Sequence, residues 1–139
     1  MKKLLLMAIL AAAGCAQKAD KTADKAAQQE EKLTFISVDD VDAQIAKGTA
    51  QAVDANNQTT RQHEGVVPGA VLLTDSETFA LTELPADKGK QLVFYCANTH
   101  CGASHAAAEK AIAAGYTNVK VMPEGIAGWV KAGKKVQNI

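Results

Sequence analysis

The run Gln91-Leu92-Val93-Phe94-Tyr95 constrains this chain most. It has strand length, is continuously apolar in its middle, and is preceded by the breaker cluster Pro85-Ala86-Asp87-Lys88-Gly89. Short apolar runs bounded by turn residues read as buried strands. On either side of it, similar runs alternate with helical stretches. Ser37 followed by Asp40 resembles a capping box with Asp in place of Glu and predicts a helix over 38–46, ending near Gly48. Residues 50–55 (AQAVDA) predict a strand ending in Asp54, and 56–65 read as a polar loop. Pro68-Gly69 marks a turn before a short strand over 70–73. A weak helix or turn spans 76–84, a helix runs from Ser104 to Ala114 and stops at Gly115, a strand covers 118–122, and a last helix covers 125–131 with Trp129 on it. Strands alternating with helices predict βαβ units, hence an α/β domain with a mostly parallel sheet covered on both faces.

The first 32 residues do not belong to that pattern. Met1-Lys2-Lys3 is a positive head, and Leu4 to Ala13 is an unbroken run of ten apolar residues. Ala-Gly-Cys15 follows. This is the layout of a secretory signal peptide. The run is too short to cross a bilayer, which takes about 20 residues. Ala-Gly-Cys resembles a bacterial lipoprotein processing box, although Ala12 stands where such boxes more often carry leucine. The resemblance implies that residues 1–14 are removed, that Cys15 is lipidated, and that, with Ala16 after it, the protein is sorted to the outer membrane facing the periplasm. Residues 16–32 (AQKADKTADKAAQQEEK) offer almost nothing to bury and read as a tether. As a flexible coil it would span roughly 20–25 Å. The expected division is therefore signal peptide 1–14, anchored tether 15–32 and folded domain 33–139. With 15 basic and 15 acidic side chains, the chain has no charge imbalance that calls for a nucleic-acid partner.

In an open α/β sheet, ligands bind beyond the carboxyl ends of the strands. Cys96 sits at such an end, followed by Ala97-Asn98-Thr99-His100-Cys101-Gly102-Ala103 and then Ser104, a favoured N-cap residue. The loop thus feeds a helix N-terminus, where free N–H groups and the helix dipole favour an anion such as a thiolate or persulfide. The plainer alternative is that Cys96 is a small buried hydrophobe ending a strand.

Four segments in order resemble the rhodanese-like family. These are Val53-Asp54-Ala55, Gly65-Val66-Val67-Pro68-Gly69-Ala70, Leu92-Val93-Phe94-Tyr95-Cys96 and Glu124-Gly125-Ile126-Ala127-Gly128-Trp129, together covering roughly 35–134. The resemblance implies a single rhodanese domain with a five-stranded parallel sheet. It implies that Cys96 accepts a sulfane sulfur as a persulfide and passes it to a nucleophile, with Ala97 to Gly102 cradling the anion through backbone N–H groups. It calls for no cofactor or metal, and for a small sulfur donor and a thiol acceptor, small or on a protein. The chain departs from the family pattern in several places. Val66 replaces a histidine. Asn56 replaces an arginine, so the expectation is that Asp54 loses its ion pair. The loop has no Arg or Lys, His100 is its only candidate cation, and the segment from Cys96 to Ser104 is two residues longer than the common short form. These departures argue against thiosulfate as donor. The absence of a loop arginine also argues against the oxyanion clamp of cysteine phosphatases.

Cys101 makes the loop a Cys-x4-Cys and leaves four readings. The first is sulfur transfer with Cys101 as a second or resolving thiol. The second is thiol–disulfide exchange. The third is a metal module using Cys96, His100, Cys101 and His105. The fourth is a non-catalytic interaction domain. Asp54 is a candidate for hydrogen bonding to the loop from behind. His63 beside Glu64 could approach the pocket, and Trp129 reads as core.

Overall fold

A computed structural model describes residues 33–139, so the signal peptide, Cys15 and the tether lie outside the described residues. The central run is strand β4 (Gln91–Tyr95), as predicted. Around it stand β1 (Thr34–Phe35), β2 (Ala50–Asp54), β3 (Val71–Leu72) and β5 (Val119–Val121). They form one sheet in the order β1-β5-β4-β2-β3. Every neighbouring pair is parallel. A parallel sheet is buried on both faces, and β4 shows why its sequence reads as continuously apolar. Leu92 and Phe94 enter one core cluster, Val93 and Tyr95 the other, and all four are fully buried.

Helix α1 (Val38–Ala46) starts at Ser37, whose hydroxyl accepts from the Asp40 N–H at 3.2 Å. The Asp40 carboxylate turns to the Ser37 hydroxyl at 2.8 Å, a local variant of the capping box. Together with α4 (Gly125–Lys131), α1 covers the Val93/Tyr95 face through Val38, Val41, Ile126 and Trp129. Helix α3 (Ala103–Ala113) covers the other face with Ala107, Ala108 and Ala111, all fully buried. The methyl groups of alanine let this helix lie close on the sheet beside Leu92 and Phe94.

Residues 56–65, expected as loop, contain helix α2 (Gln58–Glu64). Asn57 caps it by accepting from the Thr60 N–H at 2.9 Å. No apolar stripe betrays this helix, because the residue it buries is Arg61. A second correction concerns α3. It begins at Ala103 with Gly102 as N-cap, so Ser104 lies inside the first turn rather than capping it.

Candidate functional site

Strand β4 delivers Cys96 to the carboxyl edge of the sheet, where the chain turns into the loop before α3. The start of that loop is clamped by α4. The Ile126 N–H donates to the Cys96 carbonyl at 2.8 Å, and the Ala127 N–H to the Ala97 carbonyl at 3.0 Å. Gly125 allows this approach. Its φ is +62°, and a Cβ there would come within 2.6 Å of the Cys96 carbonyl oxygen. Beneath the loop, Cys96 is 1% exposed. Its thiol reaches the Cys101 carbonyl oxygen at 3.2 Å, and its sulfur lies 3.3 Å from Ser104 Oγ. Ser104, placed as a cap by sequence, is instead a fully buried partner of the Cys96 sulfur. Burial, and then the hydrogen bond given to Cys101, push the Cys96 thiol up from its ordinary value, against the opposing pull of Ser104. The expectation that the helix N-terminus favours a Cys96 thiolate is therefore reversed by desolvation.

Cys101 is the more accessible thiol, half-buried at the loop surface. Burial raises its pKa, but the hydrogen bond from Cys96 and the backbone N–H groups of Ala97 and Ala103 outweigh that and hold it below its ordinary value. Both sulfurs are free thiols. Not all of the cradle's N–H groups are open to a ligand. The His100 N–H donates to Asn98 Oδ1 at 2.9 Å, and the Cys101 N–H to the Asn98 carbonyl at 3.2 Å. Cys101 lines a cavity of about 360 Å³ with Asn56, Thr60, Thr74, Asp75 and Ser76.

Residues 37–132 match the Rhodanese-like domain family. The chain belongs to the rhodanese-like family. Solved structures of the same fold include the BH2092 protein of Bacillus halodurans, 21% identical with a TM-score of 0.67, the match covering 86% of this chain and 87% of that one. They also include the 3-mercaptopyruvate sulfotransferase SseA of Escherichia coli, 19% identical with a TM-score of 0.61, covering 78% of this chain and 51% of that one. A third is the thiosulfate sulfurtransferase of Pseudomonas aeruginosa, 20% identical with a TM-score of 0.65, covering 85% of this chain and 22% of that one. At these identities the likeness establishes the fold. No curated protein matches the chain.

This rhodanese-like domain keeps an ion pair on Asp54, against the expectation that it is lost. Arg61 Nε donates to Asp54 Oδ1 at 3.1 Å, with both side chains buried. Arg61 also donates to the carbonyls of Asp54 at 3.0 Å and Leu73 at 2.8 Å. The arginine simply comes seven residues after the aspartate, on the helix read as loop. Asp54 bonds to Arg61 and to the Asn56 N–H at 2.7 Å rather than to the cysteine loop. Its role is to shape the 54–61 segment, which supplies Asn56, Asn57 and Thr60 to the wall facing Cys101. Next to it, the buried Tyr95 hydroxyl accepts from the Val67 N–H at 3.0 Å. Burial and the Asp54 charge push that phenol upward, so it stays protonated.

The remaining candidates separate. His63 and Glu64, carried by α2, line a second cavity of about 280 Å³ with Ala97 and Asn98, so His63 does approach the loop. His105 points away, its ring centroid 5.7 Å from that of Phe35 on β1. No group of three or more His, Cys, Asp or Glu among the described residues is arranged to hold a metal ion, so Cys96, His100, Cys101 and His105 do not converge as a ligand set. Val66, in the place of the family's histidine, is buried and bridges to Gln137. Trp129 is a core residue, its indole N–H donating to the Lys135 carbonyl at 2.8 Å. Arg61, Asn56 and Gly125 are the site-building residues whose roles sequence reasoning missed. The one signal for the first two was Asn57 followed by Thr60, a cap pattern inside a polar stretch.

Proposed function

We propose that this domain is an envelope sulfurtransferase that carries sulfane sulfur as a persulfide on Cys96 and passes it to a thiol acceptor, small or on a protein. The observation that carries this reading is the position of Cys96. It sits at the end of a central parallel strand, under a loop entering a helix, with Ser104 against its sulfur and a second thiol beside it. Chemically, a thiolate attacks the outer sulfur of the donor, the new S–S bond forms as the donor's S–S bond breaks, and the donor thiolate leaves. An acceptor thiolate then takes the same sulfur and returns the protein thiol. Among the described residues, the wall around Cys101 carries no basic side chain, which disfavours a dianion such as thiosulfate. The proposed setting is the outer membrane on its periplasmic side, with residues 1–14 removed, Cys15 lipidated and 16–32 as tether. A second reading, thiol–disulfide exchange, is favoured by two free thiols in one loop, with the Cys96 thiol bonded to the Cys101 carbonyl.

Mass spectrometry separates the two. Sulfur transfer predicts a gain of about 32 Da on the peptide holding both cysteines after incubation with a sulfane donor. It also predicts delivery of that sulfur to an added thiol, with the delivery lost in Cys96→Ala. Thiol–disulfide exchange predicts a reversible loss of about 2 Da and no persulfide.

A further inference from the structure

The pairing of the two cysteines assigns them different tasks. Cys96 is 1% exposed and does not line the cavity, whereas Cys101 is half-buried and does. A donor arriving from solvent meets Cys101 first. A second feature of the cavity points to a ligand. Asn56 is only 7% exposed, lines the same cavity, and its Nδ2 has no hydrogen-bond partner among the described residues. A buried amide left unpaired is destabilising, and a bound acceptor would remove that cost. Among the described residues, the sole formally charged side chain on the cavity wall, apart from the thiol itself, is Asp75. Its Oδ1 accepts from the Glu77 and Thr78 N–H groups and the Thr78 hydroxyl. Those bonds keep it ionised, so the wall repels anions.

Building on the sulfur-transfer reading, we propose that Cys101 is the thiol that takes sulfur from the donor, that Asn56 orients the donor, and that Cys96 receives the sulfur second. The donor class is a low-molecular-weight thiol persulfide, R–S–SH, with a neutral or ammonium-bearing R group. The Cys101 thiolate attacks the outer sulfur. A new S–S bond forms between Cys101 and that sulfur, the donor's own S–S bond breaks, and R–S⁻ leaves with the electron pair, accepting a hydrogen bond from Asn56 Nδ2. The proton on the transferred sulfur stays with it. Cys96 then attacks the outer sulfur of the Cys101 persulfide, and its proton passes to the departing Cys101 sulfur. This leaves a Cys96 persulfide and a Cys101 thiol, with no net oxidation. Cys101 is suited to the first step, since its pKa is lowered, and Cys96 to holding the sulfur away from solvent.

The test is single-turnover loading with cysteine hydropersulfide, quenched and read by fragmentation of the peptide over 91–110. Cys96→Ser should accumulate the added sulfur on Cys101 and hold it there. Cys101→Ser should load Cys96 about tenfold or more slowly. Asn56→Ala should slow loading about five- to tenfold, the worth of one hydrogen bond, with its melting temperature checked alongside. Thiosulfate should load more slowly than the hydropersulfide; equal rates would overturn the donor class. If Cys101→Ser loads Cys96 at the full rate, the order of the two thiols is wrong while sulfur transfer on Cys96 stands. If neither thiol gains sulfur, sulfur transfer itself fails, and iodoacetamide labelling still decides between the thiols. Cys101 should then alkylate first, with a midpoint below that of Cys96. Prior labelling of Cys96 would sink the assignment.

Discussion

A buried carboxylate needs a counter-charge, and Asp54 has one in Arg61, which is itself buried and bonded to two carbonyl oxygens. Removing one member of such a pair leaves the other charged and desolvated. Arg61→Met is therefore expected to lower unfolding stability by about 3–5 kcal/mol, read as a fall in the urea midpoint. The same substitution should slow sulfur loading, because the 54–61 segment carries Asn56 and Thr60 into the cavity wall. A surface pair such as Lys134 with Asp39 and Asp42 offers the contrast. Water screens it, and its removal should shift the midpoint little. At this scale the residue types were legible and their partners were not. Asp54 and Cys96 stood out by their strand-end positions. Arg61 stood in a stretch read as loop and Ser104 was read as a cap, because what makes each important is a contact with a residue distant along the chain.

At the scale of elements, α4 does more than cover the sheet. Its first N–H groups hold the carbonyls of Cys96 and Ala97, and so fix the exit of the reactive loop from β4. This depends on Gly125 taking a positive φ with its Cα pressed on the loop backbone. Gly125→Ala should cost about 1–3 kcal/mol in backbone strain alone, with more from the collision. It should also depress sulfur delivery more than a core substitution of equal destabilisation, when both are assayed well below their melting temperatures. The elements with apolar patterns, β4 and α4, were read from sequence to their ends. Helix α2 was not, since it exposes nearly all its residues and buries an arginine where an apolar residue would have announced a helix.

Over the whole molecule, five parallel strands with helices on both faces place the two thiols at one edge of the sheet. We propose that this domain is held near a membrane by residues 15–32. Cys15→Ser should then move the protein from the membrane fraction to the soluble fraction in cell fractionation, with no change in sulfur loading. A protein already soluble before that change would remove the anchor from the proposal. The sequence by itself determined the fold class and the place of Cys96 at a strand end before a helix. Apolar periodicity, turn residues and strand-end cysteine are local signals, set by what each segment must bury. Only the tertiary structure decided which thiol faces solvent, that Asp54 keeps its arginine, and that Asn56, its amide nitrogen unpaired, shares a cavity with Cys101. Exposure and desolvation depend on every segment packed around a group, and those neighbours are distant in sequence. The helix N-terminus and the burial of Cys96 were both readable as alternatives, but not that burial outweighs the helix.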